Sequence, residues 1–170
     1  LTWLLAQDAA TQQRYIDLGL DTQKSQVVGN IKFDIDAPIS FIEQAQQLKQ
    51  QWNLSNRQII TLASTHAPEE ENLLKQLQPH LNANPQLLCI VVPRHPERFD
   101  EVYKLCQNLN LNTQRRSLKQ AIQTDTQVFL ADSMGEMWLW YALSQACFVG
   151  GSLNEPGGGH NILEPMVLDV

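Results

Sequence analysis

The residues best suited to chemistry lie in a glycine-rich segment near the end of the chain. Five of the eight glycines fall within residues 150–165, directly after the apolar run 146–149 (ACFV), which predicts a buried strand. Glycine lets backbone amides approach a ligand closely, so such a loop between a strand and a helix commonly holds a phosphate or sugar. Asn161 and Glu164 have the spacing of a capping box, which predicts a helix start there. A flexible loop followed by an ordinary cap is the alternative.

Two further polar clusters follow strong apolar runs. Ser64, Thr65 and His66 follow residues 59–63 (IITLA), and Pro93-Arg94-His95-Pro96 follows residues 87–92 (LLCIVV). The two prolines stiffen the second cluster, and the planar guanidinium of Arg94 suits a phosphate or carboxylate. An ion pair of Arg94 with Glu97 or Glu101 is the alternative. Glu69, Glu70 and Glu71 come next after the first cluster, where we expect them to compensate the dipole of a helix.

A fourth cluster, Asp132-Ser133-Met134-Gly135-Glu136-Met137, follows residues 127–130 (QVFL). Ser133 and Glu136 again have capping-box spacing, and we expect a helix from Gly135 to about Leu143. Gly135 in its first turn would cost about 1 kcal/mol relative to alanine. Helix N–H groups pressed against an anion would justify that cost; a plain cap is the alternative.

Composition narrows the classes of function. The chain has 170 residues and a net charge of −6, which argues against a nucleic-acid surface and against binding to an anionic membrane. We expect the one basic cluster, Arg115, Arg116 and Lys119, to be a solvated loop. Three widely spaced cysteines fit a reducing compartment. No run is long enough to span a membrane, and the chain opens inside a predicted strand, so we expect a piece of a longer protein.

Apolar runs alternate with amphipathic segments along the whole chain. Further strands are predicted over 2–6 and 27–28, and helices over about 8–18, 38–52, 68–81 and 97–109. This alternation predicts an α/β fold, Rossmann-like, with a mainly parallel sheet flanked by helices, as one domain over residues 1–170. Ligands bind at the carboxyl ends of the strands in such sheets, which is where the four clusters lie.

Together the clusters supply a cation, helix amides and a carboxylate. An arginine and helix amides suit a phosphate, and Glu164 can accept hydrogen bonds from vicinal ribose hydroxyls. The sequence therefore predicts a nucleotide that is bound as a leaving group or carrier. His66, His95 and His160 lie at strand ends, but their spacing matches no zinc pattern and no Asp-x-Asp motif is present, so we expect no metal.

These motifs resemble the Kdo (3-deoxy-D-manno-octulosonic acid) transferases, inverting glycosyltransferases of lipopolysaccharide core biosynthesis. The matching segments are 28–34 (VGNIKFD), 63–66 (ASTH), 92–99 (VPRHPERF), 132–137 (DSMGEM) and 148–165. They occur in order along nearly the whole chain. Residues 154–157 (NEPG) depart from the family pattern, in which a shorter and more basic loop is expected.

The resemblance implies the C-terminal, donor-binding half of a GT-B enzyme, whose N-terminal acceptor domain lies outside this chain. It implies CMP-Kdo as donor, a lipid A precursor as acceptor, no cofactor, and a location at the cytoplasmic face of the bacterial inner membrane. Membrane association and the general base, a glutamate, belong to the N-terminal half, so the chain alone should bind donor without turnover. Lys32 would stabilise charge in the transition state, with a solvated surface lysine as the alternative.

The resemblance also assigns the residues that bind CMP, and the strand-end clusters supply further candidates. Those implied to bind CMP are Pro93, Arg94, Met134, Gly135, Glu136, Asn161, Ile162, Leu163 and Glu164. Other candidates for the donor site are Ser64, His66, His95, Gly151, Ser152, Gly159 and His160.

Alternatives from other classes stay open at this point. Another nucleotide-sugar GT-B enzyme or a non-catalytic nucleotide-binding module would share the strand-end clusters. A dinucleotide-dependent oxidoreductase would share the fold class, but no GxGxxG motif follows an early strand.

Overall fold

The computed structural model describes residues 2–154 and 157–170 and has an α/β architecture. The chain divides into two compact units, one ending at Asp36 and the other beginning at Ala37. Each unit has its own parallel sheet. Within the described residues, no helix combines the length and apolar character needed to cross a bilayer.

The first unit is small. Strand β1 (Leu4–Ala6), helix α1 (Ala9–Asp17) and strand β2 (Ser25–Val27) form a βαβ unit, with the two strands parallel. Asp8 caps α1 by accepting a 2.6 Å hydrogen bond from the Thr11 N–H, and Gly19 follows the helix end with a left-handed φ of 97°, as its position predicts. Lys32 lies in a short 3₁₀ helix, Ile31–Phe33, and its side chain is exposed.

The second unit contains the main sheet. Its strands are β3 (Gln58–Thr65), β4 (Leu87–Pro93), β5 (Thr113–Arg115), β6 (Val128–Leu130) and β7 (Ala146–Val149). All neighbouring strands are parallel, in the order β5-β6-β4-β3-β7. The helices are α2 (Ile39–Gln51), α3 (Glu69–Ala83), α4 (Phe99–Asn108), α5 (Met137–Leu143) and α6 (Leu163–Val167). The predicted α/β class and parallel sheet are confirmed.

The central strands are apolar throughout because both faces of the sheet are covered. In β4, Leu88, Ile90 and Val92 belong to one hydrophobic cluster, and Cys89 and Val91 belong to the other. On the first face Trp140 of α5 packs against Phe129 of β6, with ring centroids 5.6 Å apart. The second face is covered by α3 and α4.

Two of the three cysteines, Cys89 and Cys106, act as small apolar residues, and Cys147 is only partly buried. Cys89 and Cys106 are completely buried free thiols. Burial raises the pKa of both, that of Cys106 to about 12, so neither is a thiolate at neutral pH.

The prediction that the basic cluster is a solvated loop is wrong for Arg115 and Arg116, which are partly buried in ion pairs, whereas Lys119 is exposed in a turn, as predicted. Arg115 lies in β5, an edge strand that the sequence did not predict, and forms ion pairs of 2.7 Å with Asp100 and with Asp132. Arg116 pairs with Glu136 at 2.7 Å. The carboxylates come from α4 and from the end of β6, so no local pattern around residue 115 announces them.

Candidate functional site

A cavity of about 300 Å³ lies at the carboxyl ends of the strands in the second unit. Its walls come from the ends of β3 and β4, from the segment after β6 and from the residues around the start of α6. The lining residues are Ser64, Val92, Pro93, Arg94, Ser133, Met134, Gly135, Glu136, Met137, Tyr141, His160, Asn161 and Glu164.

Nine of the sequence-predicted site residues meet in this cavity. They are Pro93, Arg94, Met134, Gly135, Glu136, Asn161, Glu164, Ser64 and His160. Ile162, Leu163, Gly151, Ser152, Gly159, His66 and His95 are not among its lining residues. Lys32 belongs to the first unit. The backbone N–H of Lys32 donates a 3.0 Å hydrogen bond to the Asn30 side chain.

Four lining residues were missed as ligand contacts. Ser133 was predicted only as a cap, and Met137 was named only as part of the cluster that follows residues 127–130. Val92 ends an apolar strand, and Tyr141 is a buried residue of α5. A methionine or a tyrosine inside an apolar run is typical of a core residue. The sequence therefore does not show that these side chains line the cavity, and only the tertiary structure does.

Arg94 is the cation of the cavity. Its side chain is exposed, and within the described residues it makes no ion pair. The alternative pairings with Glu97 and Glu101 are not formed: Glu97 faces His95 at 3.9 Å, and Glu101 pairs with Arg98 at 3.4 Å. The backbone N–H of Arg94 donates to the Thr65 carbonyl oxygen at 2.9 Å. The backbone of Arg94 is therefore fixed at the strand end, and its exposed guanidinium is available to an anion.

The segment before α5 differs from the predicted capping box. The helix begins at Met137 without a side-chain cap, and Gly135 lies outside it with a left-handed φ of 79°. The Ser133 hydroxyl donates to the Glu136 carboxylate instead of capping the helix. Gly135 therefore does not destabilise the helix. It adopts a left-handed turn conformation that other residues rarely adopt.

Glu136 is held by the neighbouring basic side chain. Arg116 donates to both of its oxygens, from Nη2 at 2.7 Å and from Nε at 3.1 Å. Partial burial opposes ionisation, but the hydrogen bonds from Arg116 and Ser133 outweigh it and lower the pKa of Glu136. The carboxylate is thus ionised and fixed in place at the cavity wall.

The predicted capping box at α6 is not formed, because the cap position is Ile162, which makes no side-chain hydrogen bond to the helix. The Asn161 side chain accepts a 3.1 Å hydrogen bond from the Leu163 N–H. No hydrogen bond joins Glu164 to Asn161 among the described residues, because the Glu164 side chain lines the cavity instead. Burial raises the pKa of Glu164, as expected for a carboxylate that lacks donors.

The glycine-rich loop is hydrogen-bonded to Glu69, which we expected only to compensate the dipole of a helix. Glu69 is completely buried, and its carboxylate accepts hydrogen bonds from the backbone N–H groups of His66, Gly151 and Leu153 at 2.8–3.1 Å. Burial alone would raise the pKa of Glu69, but these bonds lower it. Glu70 is also buried, in an ion pair with Arg98. All three glutamates lie in the first turn of α3, as predicted, but dipole compensation alone does not explain the two buried ones. It suffices for Glu71, which is exposed and pairs with Lys75.

The three strand-end histidines form a cluster at the cavity, in which His66 stacks on His160 and meets His95 edge to face. The Nε2 atoms of His66 and His160 are 2.7 Å apart, and the His66 ring lies 5.0 Å from His160 and 5.1 Å from His95, centroid to centroid. Burial, followed by the charges of His66 and Arg94, lowers the pKa of His160. Within the described part of the chain, no group of three or more His, Cys, Asp or Glu side chains is arranged to hold a metal ion. Metal independence stays a prediction.

Part of the glycine-rich loop lies outside the described residues. The predicted departure from the family pattern at residues 154–157 includes Glu155 and Pro156, which the structure does not describe.

A solved structure decides the family. Over 78% of this chain and 69% of the other, the chain is 71% identical to the C-terminal CMP-Kdo binding domain of WaaA from Acinetobacter baumannii, with a TM-score of 0.77. The chain belongs to the Kdo transferase family. No family model matches it.

Curated Kdo transferases are similar over the whole chain. The 3-deoxy-D-manno-octulosonic acid transferase of Haemophilus influenzae is 40% identical over 100% of this chain and 39% of its own length. The transferase of Rickettsia felis is 32% identical over 95% of this chain and 33% of its own length. The chain thus spans between a third and two fifths of these relatives. Membership in the Kdo transferase family removes the dinucleotide-dependent oxidoreductase from the alternatives.

Proposed function

We propose that this chain is the donor-binding, C-terminal half of a GT-B Kdo transferase and that the cavity binds the CMP part of CMP-Kdo. One observation supports this above all. The cavity combines two carboxylates with a guanidinium that pairs with no acidic side chain in the described part of the chain, and the chain is 71% identical to a CMP-Kdo binding domain over the matched part. That combination suits a sugar nucleotide better than a dinucleotide or a protein segment.

The cavity offers a partner for each part of the nucleotide. Arg94 suits the phosphate, because its guanidinium can make two parallel charge-assisted hydrogen bonds. Glu164 suits the ribose, because an ionised carboxylate accepts hydrogen bonds from vicinal hydroxyls. The left-handed turn at Gly135 has no side chain within 4 Å of the place where a Cβ would stand, so a ligand can lie directly against the backbone. Met134, Ile162 and Leu163 remain predicted CMP contacts.

The reaction that we propose for the whole enzyme is Kdo transfer from CMP-Kdo to a lipid A precursor, with inversion and without a metal or cofactor. Breaking the bond between the sugar and CMP leaves negative charge on the phosphate, and a fixed cation stabilises that charge. Arg94 is placed to do this. From the family resemblance, Lys32 is proposed to stabilise the transition state as well.

The same resemblance places the general base and the membrane contact in the N-terminal half, which is not part of this chain. We therefore propose that this chain by itself binds donor without transferring sugar. The whole enzyme would act at the cytoplasmic face of the inner membrane, where the lipid A precursor is available as acceptor.

Transfer assays on the full-length protein test this proposal. Purified protein is incubated with CMP-Kdo and a lipid A precursor, with and without EDTA, and products are identified by mass spectrometry. We expect Kdo addition that EDTA leaves unchanged. Transfer from a uridine nucleotide sugar but not from CMP-Kdo would indicate a different GT-B enzyme, and nucleotide binding without any turnover would indicate a non-catalytic module.

A further inference from the structure

The buried carboxylate of Glu69 binds the glycine-rich loop to the segment that follows β3. Oε1 of Glu69 accepts from the N–H groups of Gly151 at 2.8 Å and Leu153 at 3.1 Å. Oε2 accepts from the N–H groups of His66 and Gly151, both at 3.0 Å. Both oxygens are used, every donor is a backbone N–H, and the residue has no exposed surface.

The hydrogen bonds continue from Gly151 to His160. The Gly151 carbonyl oxygen accepts from the N–H groups of Gly158 at 3.0 Å and Gly159 at 2.9 Å, and the Gly150 carbonyl oxygen accepts from the His160 N–H at 3.0 Å. Residues 150–151 and 158–160, at the two ends of the loop, are thus hydrogen-bonded to each other. Gly151, which belongs to the first of these segments, also donates to Glu69.

Glu69 also fixes the other partner of the imidazole pair. The backbone of His66 donates to Glu69, and the His66 ring meets the His160 ring through Nε2 atoms 2.7 Å apart. In such a contact one ring nitrogen donates and the other accepts. It therefore forms only when the two rings are positioned with their Nε2 atoms facing each other. His160, but not Glu69, lines the donor cavity with Arg94.

We propose that Glu69 is a positioning residue, whose carboxylate fixes the glycine-rich loop and so orients the His160 imidazole in the donor cavity. The inference rests on the proposed function, since it concerns binding of the donor nucleotide. Glu69 itself touches no part of the cavity and acts through Gly151 and His66.

The packing around the loop supports this role. A Cβ at Gly150 would lie 2.4 Å from the Ser64 carbonyl oxygen and 2.7 Å from Glu69 Oε2. At Gly151, where φ is 87°, a Cβ would lie 3.0 Å from the His160 ring. Because both positions are glycine, the loop can pack against Glu69 and against the His160 ring at the same time.

Glu69→Gln compared with Glu71→Gln in the full-length protein tests the inference. Both variants remove one negative charge from the first turn of α3, but Glu71 is exposed and does not contact the loop. Glutamine keeps one acceptor oxygen and points an amide donor at backbone donors. We expect CMP affinity, measured by calorimetry, to fall about tenfold in Glu69→Gln and to stay unchanged in Glu71→Gln. In a His160→Ala background, Glu69→Gln should cause no further loss.

A second measurement does not require a ligand. NMR titration of the His160 ring reports its pKa, which is set by burial, by the neighbouring His66, His95 and Arg94, and by the opposing charge of Glu69. If Glu69 acted only through its charge, its removal would lower the pKa of His160 further. If Glu69 positions the loop, its removal separates the rings, and the pKa rises toward that of an ordinary histidine.

The outcomes separate this inference from the proposed function. Failure of the unmodified protein to bind CMP would overturn the proposed function, and the His160 titration alone would then decide the inference. Equal CMP affinity in the two variants, equal losses with and without His160, or a lower pKa of His160 would overturn the inference. If Glu69→Gln does not fold, Gly151→Ala displaces the same loop with Glu69 intact. It should weaken CMP binding and raise the pKa of His160, and no change in either would overturn the inference.

Discussion

At the scale of single residues, Arg94 is the side chain on which anion binding depends. It is exposed in the cavity and no acidic side chain among the described residues pairs with it, so a phosphate would be its charged partner. Replacing it removes a charge-assisted hydrogen bond, which contributes about 1.5–3 kcal/mol. We expect Arg94→Ala in the full-length enzyme to raise the KM for CMP-Kdo by the corresponding factor without lowering the Tm. Arg14→Ala, which removes an exposed arginine of α1, is the control; equal kinetics for the two variants would remove Arg94 from the site.

Glu164 gives a second prediction at this scale, because burial raises the pKa of its carboxyl group. Only the ionised form accepts from both ribose hydroxyls, so CMP affinity should rise as the pH increases through this raised pKa. Glu164→Gln should bind CMP more weakly and lose that pH dependence. Its Tm should be unchanged or slightly higher, because the buried charge opposes folding above its pKa.

A deoxyribose nucleotide provides the control for Glu164. 2′-Deoxy-CMP should bind more weakly than CMP to the unmodified protein, and the difference should shrink in Glu164→Gln. Equal differences in both proteins would show that Glu164 does not contact the ribose.

At the scale of elements, the close approach of the glycine-rich loop to β3 makes Gly150 irreplaceable. Alanine would place a Cβ 2.4 Å from the Ser64 carbonyl oxygen, whereas at Gly158 nothing lies within 4 Å. We expect Gly150→Ala to lower the free energy of unfolding by about 1–3 kcal/mol, measured by urea denaturation. Gly158→Ala should change it by less than about 0.5 kcal/mol. Similar values for the two variants would mean that the loop moves away from β3 without cost.

The elements that the sequence predicted are those with strong apolar patterns. Strands β3, β4 and β6 are largely buried in the sheet, and their runs of apolar residues indicate this directly. The apolar run 146–149 does form a strand, β7, but the prediction that it is buried is wrong, because β7 lies at the sheet edge and its residues are exposed or only partly buried. The edge strand β5 was missed because its residues, Thr113, Gln114 and Arg115, are polar and are stabilised by carboxylates from distant segments.

The capping boxes failed for a related reason. Spacing places Glu136 three residues after Ser133, but it does not show that the Glu136 carboxylate pairs with Arg116 and leaves α5 without a side-chain cap. Likewise the buried role of Glu69 depends on Gly151, which is 82 residues away in the chain. Residue type and spacing thus located the strand-end clusters, while the partners within them depend on tertiary contacts.

At the scale of the whole molecule, several carboxylates link stability to pH. The pKa values of Glu69, Asp132 and Glu136 are lowered in the folded chain: burial opposes this, but hydrogen bonds from Gly151, Ser117 and Arg116 outweigh burial. Groups with a lowered pKa stabilise the fold above their ordinary pKa values, and that stability is lost as the pH falls through the folded values. We expect the free energy of unfolding to drop steeply below about pH 5.

Asp132→Asn isolates one of these contributions. It should be less stable than the unmodified chain at neutral pH, and the difference should narrow in acid, where Asp132 is protonated in both states. A difference that is constant with pH would show that the carboxylate of Asp132 contributes no charge-dependent stability.

The account as a whole depends on CMP binding at the carboxyl ends of the strands. The most direct measurement is a CMP titration of this chain followed by amide NMR. We expect saturable shifts centred on Arg94, Gly135, Asn161 and Glu164, and none under the same concentrations of NAD. Shifts centred elsewhere, for example around Glu70 and Arg98 between α3 and α4, or the same response to NAD as to CMP, would contradict it.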